Sequence, residues 1–585
     1  MKELSPDIRD SMKEVCAQRL MDHTKIISSE VRLSGSPEEL RAFYYVQSVL
    51  QSLSIEATLQ FHKALISLPQ FAEVHIPALG VRIPCITHSF SANFPQGREA
   101  ELSYVGVGAS QRDYERADVG GKITLHDGIA MPVKVHYAEK MGCVGQIHIN
   151  DEHVHEMIVS TVWGSPSLQT VDKLPTVPVV SVTAKDGKTI KGLLSTHGRL
   201  TVRITTSVLT EWRDIPLLTA DIRGPAKGDE YVLLSGHVDS WHYGAMDNAA
   251  ANATMLEVAR VLSLRRDLLR RHLRLAFWSG HSHGRYAGSA WYADNNWLDL
   301  HKNCVVHINV DSTGGIGATI VNEAPVMPET YEVARDVVAA LTGEELHFKL
   351  IGRAGDQSFW GLGIPSLFIN VSEQVSNQSA ASSAFQLLTG QPGIGGGGLG
   401  WWWHTSEDLI DKIDADNLLR DTRIYLAVTM RFCTDRVLPL KYSAHVEWLL
   451  KQLNELECPD DVHHLKAVKA MANELLVHIR QLERLLFEEG YEDLKNSCLI
   501  RLGRLLVPSA MTSGDPFEHD PALPTRSIPL LDCVRAMADC EVDSDRYNLL
   551  RVAAVRNMNR LHYNLFRALE LVKCTLNNIS TTGGL

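Results

Sequence analysis

Three short apolar runs constrain the fold of this chain most strongly, because glycine, histidine or aspartate follows each of them within three residues. The runs cover residues 231–234, 273–278 and 305–310. Apolar runs of this length that end at turn residues predict buried strands. In an open α/β sheet, ligands bind at the carboxyl ends of the strands, where the loops vary while the sheet holds them rigidly. The sequence therefore predicts an α/β protein with functional side chains along one edge of a sheet.

The candidates for that edge are five acidic or imidazole side chains, His237, Asp239, Asp247, Asp311 and His404. A single residue of this kind at a strand end is more typical of a turn or a helix cap. Taken together, their order and their neighbours favour a metal site. We expect Asp239 to hydrogen-bond the His237 imidazole, and Asp247, just before a predicted helix, could bridge two cations. Such ligands suit zinc, and also iron, manganese or cobalt.

Four motifs carry a resemblance to a known family: His-Val-Asp-Ser-Trp at 237–241, Gly-Ala-Met-Asp-Asn at 244–248, Val-Asp-Ser at 310–312 and His-Thr-Ser-Glu-Asp at 404–408. Together they resemble the aminopeptidase-type zinc exopeptidases, especially the branch that contains glutamate carboxypeptidase II and transferrin receptor. The resemblance covers nearly the whole chain. It implies a mixed sheet flanked by helices that binds one or two divalent ions, foremost zinc. In the family's pattern Asp247 bridges two ions, with His237 and Asp311 on one and His404 on the other.

The chain departs from that family at one place. Members with peptidase activity carry a Glu-Glu pair after the second strand, in which the first glutamate is the general base and the second binds the second zinc. Aligning forward from residues 277–284 puts His281 and Ser282 at those positions. Aligning backward from residues 288–289 puts Ser282 and His283 there instead. Both carboxylates are absent in either alignment, so the second metal should bind more weakly.

The role of His281 stays open at the level of sequence. In the relatives a carboxylate accepts a proton from water whose pKa the metal has lowered. An imidazole, with a reference pKa near ~6.5, can accept that proton as well, so His281 is a candidate catalytic base. It could instead ligate the metal, or the site could have lost catalysis. His283 and Asp239 complete the set of catalytic candidates.

The predicted parts are a catalytic domain (1–95 and 205–436), an insertion (96–204) and a helical domain (437–585). The insertion alternates strand, helix and glycine turn, and it resembles the protease-associated domain of the same branch, although an ordinary small α/β insertion fits the pattern equally well. Leu-rich, charged stretches at 442–489 and 546–571 predict long amphipathic helices, separated by a loop or linker rich in Pro, Ser and Asp at 507–529. The resemblance implies a homodimer formed through this helical domain.

Composition excludes some classes of partner. A chain of 585 residues is too long for one core, so two or three domains are expected. The net charge of −12 argues against nucleic-acid binding, which needs a basic surface. The ten cysteines lack close pairing or zinc-finger spacing, which favours reduced thiols. The charged N-terminus resembles neither a signal peptide nor a membrane span, so we expect a cytoplasmic protein without a membrane partner.

Substrate choice rests on fewer residues. Arg353 could pair with a substrate carboxylate, although a surface arginine is an equally good interpretation. Trp360 and Trp402, the latter after the glycine-rich loop 393–400, fit a planar or apolar substrate pocket, whereas packing is the default role of any single tryptophan. The sequence predicts a metal-dependent hydrolase of an amide or related C–N bond in a small aromatic or carboxylated molecule. The alternatives are a zinc aminopeptidase or carboxypeptidase, and a non-catalytic binding or scaffold dimer.

Overall fold

The computed structural model describes residues 4–389, 394–457, 464–486 and 488–582. Its strands are β1 (Ala57–Ile76), β2 (Val81–Pro84), β3 (Ile86–Thr87), β4 (Phe94–Gly106), β5 (Ile123–Asp127), β6 (Gly145–Ile149), β7 (Val179–Val182), β8 (Thr201–Ile222), β9 (Tyr231–His237), β10 (His272–Trp278), β11 (Cys304–Asn309) and β12 (Ser366–Leu367). The first helices are α1 (Pro6–Lys13), α2 (Ala17–Ile27), α3 (Pro37–Ser52), α4 (Gln111–Ala117), α5 (Pro132–Lys140), α6 (Ala184–His197), α7 (Ala251–Ser263), α8 (Ala287–Asn295) and α9 (Trp297–Asn303). The remaining helices are α10 (Tyr331–Thr342), α11 (Ala380–Thr389), α12 (Ala415–Thr434), α13 (Tyr442–Glu455), α14 (His464–Leu485), α15 (Glu492–Met511), α16 (Asp532–Met537) and α17 (Asp545–Thr582).

The strands form one mixed sheet. Its order is β12-β11-β9-β10-β8-β4-β5-β6-β7-β3, with β1 paired to β8 and β2 paired to β1. β9 lies parallel to β10 and β11, and β11 lies parallel to β12. The carboxyl ends of these strands therefore meet at one edge, where His237 ends β9 and Asp311 follows β11. The predicted α/β class and the helix-flanked mixed sheet are confirmed.

The central strands are covered on both faces. Every residue of β9 and of β11 is buried, as expected for parallel strands between two layers of helices. Gly236 lets β9 and β11 approach closely, because a Cβ atom at this position would lie 2.6 Å from the Val310 carbonyl oxygen. This close packing fixes the distance between the two strand ends that carry His237 and Asp311.

Two long strands connect the catalytic part to the insertion. β8 has 22 residues, and it pairs with β10 near its carboxyl end and with β4 near its amino end. β1 runs antiparallel to β8 over most of its length. The predicted boundaries at 95/96 and 204/205 consequently fall inside β4 and β8, and not in loops. The two parts share hydrogen-bonded strands.

Helices α13 to α17 make up the C-terminal region, as the stretches 442–489 and 546–571 predicted. The linker predicted from residue 507 starts later, because α15 continues to Met511 and its last turn packs in a buried cluster with Trp360. Arg504 in α15 fastens this region to the sheet by donating hydrogen bonds to the carbonyl oxygens of Gly363 (2.7 Å) and Cys304 (2.6 Å).

Some sequence predictions touch residues outside the described ranges, namely Gly393 in the glycine-rich loop and residues 458–463, 487 and 583–585 of the helical domain. Within the described ranges, none of the helices combines the length and the apolar character that a bilayer crossing requires. The nine cysteines in the same ranges are free thiols.

Candidate metal centre

An aspartate lies between two imidazoles at the carboxyl edge of the sheet. His237 Nε2 is 3.2 Å from Asp247 Oδ1, and His404 Nε2 is 3.1 Å from Asp247 Oδ2. Asp311 joins from the end of β11, with its Oδ2 atom 3.7 Å from His237 Nε2. The four residues that the sequence suggested as metal ligands are thus brought together from four separate segments.

The turn after β9 holds Asp247 in place. The Asp408 carboxylate accepts hydrogen bonds from the backbone N–H groups of Met246 (2.9 Å) and Asp247 (3.0 Å). The Asn248 side chain donates to the His237 carbonyl oxygen (3.2 Å) and accepts from the Ser312 N–H (2.9 Å). These contacts join the turn to the segments that carry the other candidate ligands, so the position of the bridging carboxylate is set by the backbone.

His281 lies against this group. Its ring stacks on that of His237 with centroids 3.7 Å apart and an interplanar angle of 13°. One ligand atom from each of His237, His281 and Asp311 can be chosen so that all three lie within 4.8 Å of one another. Among the residues described, these three form the one cluster of His, Cys, Asp or Glu that meets this criterion. The turn after β10 therefore contributes an imidazole where the sequence lacks a carboxylate.

The residues fit a divalent cation. Two imidazole nitrogens and the carboxylates of Asp247 and Asp311 are a donor set typical of zinc. His237 Nε2 is buried beside the carboxylates of Asp247 (3.2 Å) and Asp311 (3.7 Å) but makes no well-formed hydrogen bond among the described residues, and a buried polar atom of this kind is costly unless a ligand satisfies it. A bound cation would supply that partner.

The charges around His237 also favour a bound cation. Burial lowers the pKa of His237, but the carboxylates of Asp239, Asp247 and Asp311 outweigh burial and raise this pKa well above its ordinary value. Burial also raises the pKa of Asp247, and His237 and His404 outweigh it and hold this pKa well below its usual range. The pocket concentrates negative charge and requires a positive charge among its carboxylates.

Asp239 supports His237 through its backbone. The Asp239 carbonyl oxygen lies 2.9 Å from His237 Nδ1, closer than the carboxylate Oδ1 at 3.6 Å. The carboxylate instead accepts hydrogen bonds from Ser34 Oγ (2.6 Å) and the Ser282 N–H (2.8 Å). Asp239 thus orients the imidazole as expected, mainly by its carbonyl, while its side chain fixes the turn that carries His281.

Comparison with known proteins finds a family that is similar to the segment carrying this edge of the sheet. Residues 218–429 match the model of peptidase family M28. This segment therefore resembles the M28 peptidases. The chain is 25% identical over 266 residues to "Probable glutamate carboxypeptidase VP8" of Zea mays, covering 43% of this chain and 36% of that protein. It is 29% identical over 152 residues to "Aminopeptidase NAALADL1" of Mus musculus, covering 25% of this chain and 19% of the relative. The matches span about a third or less of these curated relatives.

Solved structures agree on the fold of this segment and its surroundings. The aminopeptidase from Aneurinibacillus sp. strain AM-1 superposes with a TM-score of 0.53 at 22% identity, covering 73% of this chain and 96% of that one. BSAP, a zinc aminopeptidase from Bacillus subtilis, gives a TM-score of 0.53 at 21% identity, covering 72% of this chain and 96% of its own. At this level of identity the likeness shows the fold.

His283 makes its contacts outside the group of candidate ligands. Its Nδ1 atom lies 3.0 Å from Ser34 Oγ, and its ring lies 4.4 Å from that of Trp241. Burial lowers the pKa of His283 to about 4. Of the two residues that sequence alignment offered as substitutes for the glutamates, the structure therefore brings His281, and not His283, to the candidate ligands.

The three proposed substrate-binding residues lie in packed surroundings. Arg353 is buried, donates to the carbonyl oxygen of Asp520 (2.8 Å) and lies 4.3 Å from the centroid of the Trp163 ring. Trp360 donates to Gln357 Oε1 (3.1 Å) within a buried cluster, and Trp402 is buried in the main core. The structure does not bring these three side chains to the candidate metal centre. The substrate-binding role predicted for them is therefore not supported by a contact with that centre.

Other aromatic and acidic residues do reach the centre. Trp403 stacks on His404 with ring centroids 3.8 Å apart. His404 Nδ1 lies 2.8 Å from the backbone oxygen of Glu156, a residue of the insertion. Burial raises the pKa of the Glu156 carboxyl group to about 8, and its Oε1 atom is 4.0 Å from His242 Nε2. Sequence reasoning missed Glu156, because 248 residues separate it from His404 and no local pattern marks it.

Proposed function

We propose that this chain is a metal-dependent hydrolase that cleaves an amide or related C–N bond in a small molecule. The observation that carries the proposal is the buried group of His237, Asp247, Asp311 and His404, in which the Nε2 atom of His237 lies among carboxylates without a well-formed hydrogen bond. The M28 family and its zinc aminopeptidase neighbours support a peptidase-type hydrolase. The small substrate is the finer part of the proposal.

The residues of the candidate site have distinct roles in the proposed reaction. His237, Asp247, Asp311 and His404 would hold the ion, which when bound would polarise the scissile carbonyl group and lower the pKa of water. Asp408 and Asn248 keep Asp247 between the two imidazoles through backbone hydrogen bonds. Trp403 and Trp241 flank His404 and exclude water from one side of it. The described turn between β10 and α8 contains no carboxylate, so proton transfer has to use another group than the family's glutamate.

Metal dependence is the first test. The wild-type protein, purified without chelator or nickel, is expected to contain zinc by plasma mass spectrometry and to hydrolyse members of a panel of dipeptides and N-acyl amino acids. 1,10-Phenanthroline should abolish turnover, and added zinc should restore it. His237→Ala should lose both metal and turnover, because it removes the imidazole that contacts both carboxylates, whereas the exposed His197→Ala is the matched control.

The panel also separates the alternatives. Turnover of dipeptides would favour a zinc aminopeptidase or carboxypeptidase, and turnover of non-peptide amides alone would favour the small-molecule hydrolase. Metal retention without turnover of either class would favour a binding or scaffold protein. Unchanged metal content in His237→Ala would contradict the site itself.

We also propose, as the sequence suggested, that the chain forms a homodimer through the C-terminal helices. In support, α17 exposes large apolar side chains at Leu549, Val552, Tyr563 and Phe566, with 73%, 50%, 56% and 43% of their surfaces accessible. Light scattering coupled to size-exclusion chromatography would give the mass. Double substitution of Leu549 and Tyr563 by Glu should yield the monomer mass, and a monomeric wild type would contradict the proposal.

The cytoplasmic location likewise remains a proposal.

A further inference from the structure

The three imidazoles of the site share one arrangement. His237 Nδ1 is 2.9 Å from the Asp239 carbonyl oxygen, and His404 Nδ1 is 2.8 Å from the Glu156 carbonyl oxygen. His281 Nδ1 is 2.9 Å from the Asp356 carboxylate. Each acceptor requires a proton on Nδ1, so Nε2 is the nitrogen of each ring that is left to bind a metal once it gives up its own proton. This is the form in which a histidine ligates a metal through Nε2.

Asp356 is built into its position. It is 1% exposed and lies between α10 and β12. Its Oδ1 atom accepts a hydrogen bond from Ser289 Oγ (2.7 Å), while its Oδ2 atom faces His281. The N–H of the preceding residue, Gly355, donates to the Tyr286 hydroxyl (3.2 Å), and the Tyr286 ring meets His281 edge to face with centroids 4.9 Å apart. The carboxylate and the imidazole are thus fixed from two sides.

A histidine used only for packing would not need this partner. A buried carboxylate is costly unless it is hydrogen-bonded to charged or polar donors. Here the buried Asp356 carboxylate orients the His281 ring. A carboxylate behind a metal-bound imidazole fixes the ring and raises its basicity, and loss of such a partner typically weakens metal binding by about 10–100-fold. The pair therefore has the form of a ligand with its orienting group.

We propose that His281 is a metal ligand and that Asp356 is its positioning residue. This proposal rests on the proposed metal-dependent function and assigns the substituted position within it. One site then has four candidate ligands, namely His237, His281, Asp311 and Asp247. Among the described residues, His404 and Asp247 remain as candidate ligands of a second ion. In the family that the chain resembles, a glutamate completes this second site, and that glutamate is missing here. We therefore expect one firmly bound ion and one weak site in each chain.

The test measures metal binding and does not depend on turnover. Zinc affinity is determined by competition with a chromogenic chelator, and the visible absorption spectrum of the Co²⁺-loaded protein reports the nitrogen ligands. Wild type should bind one ion tightly. Asp356→Asn should weaken this site about 10–100-fold, and His281→Ala should lose it at the same chelator concentration with a changed Co²⁺ spectrum.

Matched controls separate binding from folding. Asp336→Asn replaces a buried aspartate in α10 that pairs with Arg335, and His301→Ala removes a half-buried histidine that contacts the Leu362 carbonyl oxygen. Both should keep the wild-type affinity. Far-UV circular dichroism and thermal unfolding must show that each variant is folded, and Asp356→Asn, which preserves side-chain shape, serves as the second variant if His281→Ala does not fold.

The outcomes distinguish this inference from the proposed function. Wild-type zinc affinity and Co²⁺ spectrum in folded His281→Ala, with turnover lost, would make His281 the proton acceptor and would overturn the ligand assignment while the hydrolase stands. Two tightly bound ions in wild type would also overturn it. Absence of both metal and turnover in wild type would instead remove the proposed function.

Discussion

At the scale of single residues, Arg353 shows how a side chain suited to substrate binding can serve the architecture. Its guanidinium group donates to the carbonyl oxygens of Asp520 and Pro521 in the C-terminal region and lies over Trp163 of the insertion. Burial lowers the pKa of Arg353 to about 10. One residue thus contacts all three parts of the molecule.

We expect Arg353→Ala to act on stability more than on substrate affinity. Removal of the guanidinium leaves buried carbonyl oxygens without donors, at a cost of about 2 kcal/mol. Thermal unfolding should begin at a lower temperature, with little change in KM. A raised KM at unchanged unfolding temperature would restore the substrate-binding role that the sequence suggested. The surface substitution Arg41→Ala is the control.

Residue chemistry also decides what the sequence could predict about the site. His237 and Asp311 follow apolar runs, so the rule for strand ends identified them, and the motif around His404 added a third segment. Asp356 and Glu156 carry no such signal. They are 75 and 248 residues from the histidines that they hold, and only the folded chain shows which carboxylate or carbonyl faces which ring. For the same reason the sequence could not separate His281, which stacks on His237, from His283, which contacts Ser34.

At the scale of elements, the loop before His404 is held by acidic side chains. Glu323 accepts hydrogen bonds from the backbone N–H groups of Ile394 (2.9 Å), Gly395 and Gly396 (3.3 Å). Glu373 accepts from the Gly398 N–H (3.0 Å) and pairs with Lys349 (2.7 Å). The described part of the glycine-rich loop, residues 394–400, is therefore anchored where it leads to His404.

Glu323→Ala should release this loop. The loss of three backbone hydrogen bonds is expected to increase the rate of cleavage by chymotrypsin near Trp401 at least several-fold, because cleavage follows local opening. Zinc content should fall less than in His237→Ala. Glu332→Ala, at a half-exposed carboxylate in α10, is the matched control. Equal cleavage rates in both variants would show that the loop does not depend on Glu323.

Elements differed in how far the sequence predicted them. The amphipathic helices of the C-terminal region were predicted from their periodicity, and strands β9 to β11 were predicted from their short apolar runs. β1 and β8 were not delimited, because they pass from one core to another and their burial changes along their length. The predicted domain boundaries at 95/96 and 204/205 consequently fell inside strands β4 and β8. The amino-acid composition of the chain changes where the surroundings of a strand change, and this is not where the strand ends.

At the scale of the whole molecule, three buried histidines, two in the insertion and one just before it, should make stability depend on pH. Rings of His126 and His148 stack 4.6 Å apart, and His88 contacts Ser181 Oγ. Burial lowers the pKa of His88 to about 3 and those of His126 and His148 well below the ordinary value. The Nδ1 atom of each ring is buried and lacks a hydrogen-bond partner among the described residues.

These histidines should make the protein sensitive to acid. A group with a lowered folded-state pKa binds more protons when unfolded, so its stabilising contribution is complete above the unfolded pKa of ~6.5 and is lost as pH falls toward the folded value, about 3 for His88. Each ring should cost roughly 1.4 kcal/mol per pH unit below that onset. Unfolding temperatures from pH 7.5 to 5 should fall less steeply in His148→Gln than in wild type, whereas the exposed His197→Gln should follow wild type. Identical slopes in all three would contradict the argument.

The strand β8 has a mechanical consequence for access to the site. Its 22 residues span about 70 Å at the usual rise of a strand, and they cross from the insertion to the catalytic sheet without a linker. A hinge needs a few residues free to change their backbone angles, whereas here β8 is paired with β1, apart from a register shift between Pro69 and Phe71. Movement of the insertion against the catalytic sheet would therefore have to bend paired strands. Because the Glu156 backbone oxygen lies 2.8 Å from His404 Nδ1, such bending would also displace a contact of a candidate metal ligand.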